Sequence, residues 1–275
     1  MTAFPHRSPA VPEMRGRAGK RGRHSRPAAL FPFAAAGTPL HNNAMLEELK
    51  AEVCAANRAL EHSGLARLTW GNVSGIDRAS GLWCIKPSGV DYSALTPDLM
   101  VLLDLDGEVV EGGLRPSSDT KTHLHLYREC PRVGGITHTH SPHATAFAQA
   151  GRELPCFGTT HADHFHGTVP LVRALTPAEV AEDYEHFTGA AIVERLRELG
   201  LDPLEMPAVL QLYHAPFTFG RNASESLKNS IALEVCAQMA LATLALSPGL
   251  GPIPDHILEK HHLRKHGPGA YYGQV

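Results

Sequence analysis

The apolar residues of this chain recur at two spacings, one typical of amphipathic helices and the other of short strands. Between residues 45 and 62, leucine and valine recur three, four and seven positions apart, which places them on one face of a helix. A Ser-Gly pair follows and marks the end of this helix. The same reasoning predicts helices over 120–130, 144–150, 177–199, 223–246 and 254–265.

Short apolar runs that end in glycine or small polar residues lie between these helices. They predict strands over 68–75, 82–89, 133–140 and 209–213, and a hairpin that joins 101–104 to 107–110. Strands and helices alternate after Met45 without a linker-like break. We therefore expect a single α/β domain over residues 45–275.

The composition is that of an ordinary globular protein. Of the 275 residues, 43% are hydrophobic and 19% are charged. The longest apolar runs are interrupted by charged residues, glycine or proline, so we expect no membrane-spanning segment and no membrane partner. The five cysteines show no CxxC spacing, which favours reduced thiols and a cytoplasmic location.

Residues 1–44 differ from the rest of the chain. They carry seven lysine or arginine residues and a single acidic residue, Glu13. Because this aperiodic segment buries little apolar surface, we expect it to be disordered. A nucleic-acid-binding arm or a transit peptide has this composition, but the remaining chain is acidic, which argues against nucleic acid as the main partner. Met45 would serve well as a start codon, which favours an appended extension.

His138 and His140 are the most informative residues, because they lie two positions apart at the end of an apolar run. On a strand, residues with this spacing point to the same face, so both imidazoles can reach one point in space. Two such histidines form half of a zinc site, and a catalytic zinc usually takes a third protein ligand. The alternative is a pair of surface histidines in a chain that has 18 of them. A metal site therefore needs at least one more ligand from elsewhere in the chain.

Three turns of small polar residues favour an anion pocket. One contains Asn72, one contains Lys86 to Gly89, and one contains Ser117 and Ser118 before a predicted helix that Asp119 can cap. Backbone amides at a helix start, hydroxyl groups and a lysine together bind an anion. Each turn alone is typical of a simple strand-to-loop junction. The anion pocket is favoured because the three turns occur together with the histidine pair.

Six short motifs follow one another after Met45. They are Gly71-Asn72-Val73-Ser74, Ile85-Lys86-Pro87-Ser88-Gly89-Val90-Asp91-Tyr92, Pro116-Ser117-Ser118-Asp119-Thr120, His138-Thr139-His140-Ser141, Thr159-Thr160-His161-Ala162-Asp163, and Leu263-Arg264-Lys265-His266 with Tyr271-Tyr272-Gly273-Gln274. In this order they resemble the class II aldolase/adducin family, and the last two resemble its pentulose-phosphate epimerases rather than its aldolases. The resemblance extends from Met45 to the C-terminus. It implies a central, mostly antiparallel sheet flanked by helices.

The resemblance also implies a divalent metal site and a phosphate site. The metal, zinc or another divalent ion such as manganese, would be held by Asp119, His138, His140 and His214. The phosphate would be bound by Gly71, Asn72, Ser88, Gly89, Ser117 and Ser118, with Lys86 as a charge partner. The chain departs from the epimerases at Leu212, His164 and His166, none of which belongs to either set.

The activity implied by the resemblance is that of an isomerase, which interconverts L-ribulose 5-phosphate and D-xylulose 5-phosphate by breaking and re-forming the C3–C4 bond. Asp163 and Tyr272 match the two proton-transfer residues, and His261 matches a further active-site histidine. The tyrosine of this family reaches a neighbouring subunit, which implies a homotetramer with active sites at subunit interfaces. L-arabinose catabolism is the expected setting, although ascorbate catabolism uses the same reaction.

Two alternatives share the same fold. A sugar-phosphate aldolase, such as L-fuculose-phosphate aldolase, would release an aldehyde, but Asp163 and Tyr272 favour epimerisation. An adducin-type scaffold would lack the metal, and the intact set of metal ligands argues against it. We interpret His123 and His125 as structural. The cluster of His161, Asp163, His164 and His166 could form a second metal site, but adjacent histidines in a polar loop are usually solvated, and we favour that interpretation.

Overall fold

The computed structural model describes residues 39–272, and within them eight strands form one sheet. The strands are β1 (Asn72–Asp77), β2 (Leu82–Ile85), β3 (Val101–Leu103), β4 (Val109–Glu111), β5 (Gly135–His138), β6 (Leu171–Val172), β7 (Ala208–Gln211) and β8 (Pro216–Gly220). Their order across the sheet is β4-β3-β2-β1-β5-β8-β7-β6. All neighbouring pairs are antiparallel except β6 and β7, so the mostly antiparallel sheet is confirmed.

Seven α-helices flank this sheet in the described part of the chain. They are α1 (Pro39–His62), α2 (Thr120–Glu129), α3 (Pro142–Gln149), α4 (Thr159–Ala162), α5 (Pro177–Glu198), α6 (Ala223–Leu246) and α7 (Asp255–His266). On one face, Leu126 of α2 and Ile192 of α5 share a core cluster with Phe217 of β8. On the other face, residues of α1, α3 and α6 form two further clusters with the sheet. The predicted α/β fold is therefore confirmed.

β1 shows how a strand divides its side chains between the two helical layers. Ile76 belongs to the core cluster beneath α2 and α5, whereas Val73 belongs to the cluster beneath α1. Gly75 faces α1, and a Cβ atom there would lie 3.0 Å from Val53 and 3.1 Å from Leu49. The absence of a side chain at this position therefore lets α1 pack closely on the sheet.

α6 is the one helix, among the described residues, whose length and composition would allow it to cross a membrane. Three charged residues, Glu225, Lys228 and Glu234, nevertheless interrupt its apolar run, as expected from the sequence. One face of the helix is buried, because Leu233, Cys236 and Ala237 belong to the core cluster that also contains β7 residues. The apolar side chains of Ile231, Val235 and Met239 are exposed. We interpret α6 as a helix that packs one face on the sheet.

Several element boundaries differ from the predicted ones. α1 begins at Pro39, so the predicted boundary at residue 44 falls inside a helix. β1 begins at Asn72 rather than at residue 68, because Leu68 and Gly71 have φ angles of 53° and 81°, which an extended chain does not adopt. β8 was not predicted, since its five residues directly follow a turn. The disorder expected of the basic segment concerns residues 1–38, which lie outside the described residues.

Two leucines near the end of α5 allow a test of the core. Leu196 is buried in the cluster beneath α5, and Leu199 is 44% exposed. We expect Leu196→Ala to lower the free energy of unfolding by about 2–5 kcal/mol, because it leaves a cavity. Leu199→Ala should lower it by less than about 1 kcal/mol. Urea denaturation of both variants measures the difference, and equal losses would contradict the packing described here.

Candidate metal centre

Three histidines converge at the edge of the sheet where β5 ends. His138 is the last residue of β5, His140 lies two residues beyond it, and His214 lies in the turn between β7 and β8. The Nε2 atoms of His138 and His140 are 3.2 Å apart, and one nitrogen from each of the three rings lies within 4.8 Å of the others. The structure therefore brings together the predicted pair and the predicted third histidine.

His138 is held by its surroundings in a fixed orientation. Its Nδ1 lies 3.0 Å from the carbonyl oxygen of Pro216, and as the donor of that hydrogen bond it leaves Nε2 free to bind a metal. The ring of Phe217 stacks on the His138 ring at 4.2 Å. A Cβ atom at Gly71 would lie 2.7 Å from the His138 carbonyl oxygen, and φ at Gly71 is +81°, so this position requires glycine.

The environment of the three histidines favours their neutral, metal-binding form. Burial and the neighbouring His140 lower the pKa of His138 to about 3. Burial and the other two rings lower the pKa of His214 to about 3. The Nδ1 atom of His214 is buried without a hydrogen-bond partner among the described residues. Three neutral imidazoles, one of them unsatisfied, form a donor set that fits a divalent cation such as zinc.

Asp119 is close to the histidines but does not belong to the set within 4.8 Å. It is the N-cap residue of α2, yet its side chain makes no capping hydrogen bond, so the predicted side-chain cap was wrong. The reason is that Asn72 Nδ2 donates to Asp119 Oδ2 at 2.6 Å. Its negative charge nevertheless acts on His140 and His214, opposing the lowering of their pKa values. A role for Asp119 as a fourth ligand remains a prediction.

The predicted phosphate-binding turns lie against one another. The backbone N–H of Ser117 donates to the carbonyl oxygen of Lys86 at 3.0 Å, and Asn72 Nδ2 donates to the Ser117 hydroxyl at 3.2 Å. Ser88, Gly89 and Ser118 are exposed, which leaves their polar groups accessible to a ligand. Hydrogen bonds to Ser117 therefore join the three turns that were predicted separately.

Lys86 is buried without a carboxylate partner. The residue is 2% exposed, and Nζ contacts only the carbonyl oxygens of Thr69 and Pro87, at 3.5 and 3.4 Å, and the ring of Tyr92 at 5.2 Å. Among the described residues, no acidic side chain forms an ion pair with it. Burial lowers its pKa, which reflects the cost of keeping this ammonium group charged. An anionic ligand would supply the missing counter-charge.

The predicted proton-transfer residues form a second group, in which Asp163 directly follows α4 and Tyr272 follows α7. Arg264 donates to both carboxylate oxygens of Asp163, from Nε at 2.9 Å and from Nη2 at 2.5 Å. His261 Nδ1 lies 3.2 Å from the same carboxylate, and the Tyr272 ring lies 4.8 Å from the Arg264 guanidinium carbon. Burial raises the pKa of Asp163, but the hydrogen bonds from Arg264 and His261 outweigh this effect and lower it.

No direct polar contact between these two groups is found within the described part of the chain. Among the described residues, no hydrogen bond or ion pair joins the three histidines to Asp163, His261 or Tyr272.

Three residues near these groups were given no role from the sequence. They are Arg264, Trp70, whose ring lies 6.5 Å from His140, and Tyr184, whose ring lies 5.9 Å from His214. Arg264 stood within a quoted motif, but no spacing signal marks Trp70 or Tyr184.

Comparison with known families identifies the fold. Residues 51–241 match the family described as the Class II Aldolase and Adducin N-terminal domain. The chain belongs to this family. Curated class II aldolase relatives include the L-ribulose-5-phosphate 4-epimerase UlaF of Salmonella paratyphi C (strain RKS4594), which is 51% identical over 229 residues, or 83% of this chain and 100% of the relative. The protein of the same name from Salmonella choleraesuis (strain SC-B67) gives the same values.

Solved structures of the class II aldolase family agree with the fold. An L-fuculose 1-phosphate aldolase superposes with a TM-score of 0.65 and 25% identity, covering 78% of this chain and 94% of the other. YgbL from Klebsiella pneumoniae, titled a putative aldolase/epimerase/decarboxylase, superposes with a TM-score of 0.63 and 22% identity over 79% of this chain and 99% of the other. Class II aldolases depend on a divalent metal, and among the described residues the three histidines form a group that could hold one.

Substitution of His138 tests the metal centre. We expect His138→Asn to lower bound zinc or manganese from about one ion per chain to less than about one tenth, because one of three imidazole donors is lost. His62→Asn serves as the control, since His62 is exposed at the end of α1. Elemental analysis after dialysis against the metal measures both. Full metal content in the His138 variant would contradict this assignment.

Proposed function

We propose that this protein is a metal-dependent isomerase that interconverts L-ribulose 5-phosphate and D-xylulose 5-phosphate. The observation that carries the proposal is the convergence of His138, His140 and His214 in a chain 51% identical to curated L-ribulose-5-phosphate 4-epimerases. The intact donor set argues against a non-catalytic scaffold. We further propose zinc or manganese as the metal, a cytoplasmic location, and no nucleic-acid or membrane partner.

The chemistry of the substrate explains why a metal is needed. The hydrogen on C4 of a ketopentose phosphate is two carbons from the ketone and is not acidic, so direct deprotonation at C4 is unfavourable. Cleavage of the C3–C4 bond, followed by recombination on the opposite face of the aldehyde, inverts C4 without removing that hydrogen. A divalent cation in this site would act as a Lewis acid and stabilise the negative charge that develops on the C2 and C3 oxygens.

Lys86 and the three turns around it would bind the phosphate. Among the described residues the buried ammonium group has no acidic ion-pair partner, and Ser88 and Ser118, in the adjoining turns, are exposed. With its phosphate held by these turns, the glycolaldehyde phosphate fragment stays bound while its aldehyde group rotates and presents its opposite face. The phosphate site thus favours recombination over release of the aldehyde.

Asp163 and Tyr272 would transfer the proton of the C4 hydroxyl group on opposite faces of the aldehyde. The lowered pKa of Asp163 keeps its carboxylate ionised at neutral pH, so it can accept a hydrogen bond or a proton. His261 contacts that carboxylate at 3.2 Å and would orient it. Because no hydrogen bond or ion pair joins these residues to the three histidines within the described part of the chain, we propose that neighbouring subunits of a homotetramer complete each site.

A coupled assay separates epimerisation from simple aldol cleavage. We expect the purified protein to form D-xylulose 5-phosphate from L-ribulose 5-phosphate. Activity should be lost with a chelator and restored by zinc or manganese, because metal binding is reversible. The alternative, an L-fuculose-phosphate aldolase, is favoured by the 25% identical structural neighbour. Release of dihydroxyacetone phosphate from L-fuculose 1-phosphate, with no epimer formed, would overturn the proposal.

Mixing two inactive variants tests whether neighbouring subunits complete the site. His138→Asn damages the metal centre and Tyr272→Phe removes the phenol. If the two residues of one site come from different chains, co-expression produces some sites with both native residues. Random assembly should restore about a quarter of wild-type sites. The control is the same two proteins expressed separately and assayed together without subunit exchange. No gain on co-expression would show that one chain supplies both residues.

A further inference from the structure

α5 is interrupted close to the metal centre. Asp183 has a φ of −165° and a ψ of 87°, which divides the helix into two segments. Neither proline nor glycine, the usual causes of a kink, occurs at this point. Asp183 Oδ1 instead accepts a hydrogen bond from the backbone N–H of His186 at 3.3 Å. The side chain thus caps the second helical segment, as an N-cap aspartate does.

An ion pair and a hydrogen bond join the kink to the N-terminal turn of α2. Lys121 Nζ forms an ion pair with Asp183 Oδ2 at 2.7 Å, and the Thr122 hydroxyl donates to the carbonyl oxygen of Glu185 at 2.6 Å. Asp119 is the N-cap residue of the same helix. These contacts therefore fix the kink relative to the predicted metal and phosphate residues at the start of α2.

The residue that the kink presents to the site is Tyr184. Its ring centre lies 5.9 Å from that of His214, at an angle of 56°. Its phenolic hydroxyl group can donate a hydrogen bond. The side chain is 37% exposed, so it is neither packed in the core nor fully in solvent.

We propose that Tyr184 is a substrate-contacting residue, whose hydroxyl group donates a hydrogen bond to an oxygen of the sugar phosphate bound beside His214. Lys121 is then a positioning residue that acts through Asp183 and the kink. This inference rests on the proposed function, because it takes a polyhydroxylated ketose phosphate as the ligand. A hydrogen bond to an oxygen on which charge develops is worth more in the transition state than in the ground state.

The test compares Tyr184→Phe with Tyr213→Phe. Both variants lose only a hydroxyl group, and Tyr213 lies next to His214 in sequence but is 75% exposed. We expect Tyr184→Phe to lower kcat/KM for L-ribulose 5-phosphate by about 10- to 100-fold and Tyr213→Phe by less than about twofold. Zinc content and melting temperature should stay at wild-type values in both, and calorimetry should show weaker binding of L-ribulose 5-phosphate only for Tyr184→Phe.

Lys121→Met tests the positioning role. Lys121 is largely exposed, so its loss should leave the fold intact. We expect kcat/KM to fall about threefold, and the double variant with Tyr184→Phe to be no worse than Tyr184→Phe alone, because Lys121 acts through Tyr184. Additive losses would show that Lys121 acts elsewhere.

The outcomes separate this inference from the proposed function. If the wild type forms D-xylulose 5-phosphate and Tyr184→Phe has the same kcat/KM, this inference is overturned and the proposed function is not. Loss of zinc from Tyr184→Phe would also overturn it, because Tyr184 would then support His214 rather than bind substrate. If the wild type cleaves L-fuculose 1-phosphate instead, kcat/KM of Tyr184→Phe and of Tyr213→Phe is compared for that reaction. An unaffected Tyr184→Phe variant then overturns the inference. A wild type inactive on both substrates overturns the proposed function and this inference together.

Discussion

The pairing of β5 with β8 is the interaction on which the candidate site depends. It places His138 opposite Phe217, whose ring stacks on the imidazole, and beside the Pro216 carbonyl oxygen that accepts from Nδ1. The same strand β8 forms a hairpin with β7, and the turn of that hairpin carries His214. A shift of this pairing by one residue would turn His138 to the other face of the sheet and separate the ligands.

The site is electrostatically incomplete in two complementary ways. The three imidazoles are held neutral and close together, with one buried nitrogen of His214 unsatisfied. The buried ammonium group of Lys86 has no acidic ion-pair partner among the described residues. The first group needs a cation and the second needs an anion. A divalent metal and a phosphorylated substrate together meet both needs, which links the fold to the proposed reaction.

Much of the fold and of the metal centre could be predicted from the sequence. The two-residue spacing of His138 and His140 was enough to predict convergence, although His140 lies just beyond the end of β5. His214 needed the family resemblance, because it lies in a turn far along the chain and no local pattern connects it to the pair. Long periodic segments such as α6 were predicted with correct ends, since apolar spacing over many residues is a strong signal.

Features that depend on tertiary contacts could not be predicted. The kink at Asp183 arises from a capping side chain and from Lys121 on another helix, and neither leaves a proline or glycine signal. Asp119 follows the capping pattern, but its carboxylate bonds to Asn72 across the pocket. The location of Asp163 with Arg264, apart from the three histidines, is set by the packing of α7 on α4. The sequence motifs carry the roles of these residues but not their grouping.

The most direct test of the central claim is anomalous X-ray diffraction at the zinc absorption edge, on crystals of the zinc-loaded protein. The account predicts one strong anomalous peak per chain, within about 2.0–2.1 Å of a nitrogen atom of His138, of His140 and of His214. A peak bound by other residues, or no peak at these histidines, would contradict it.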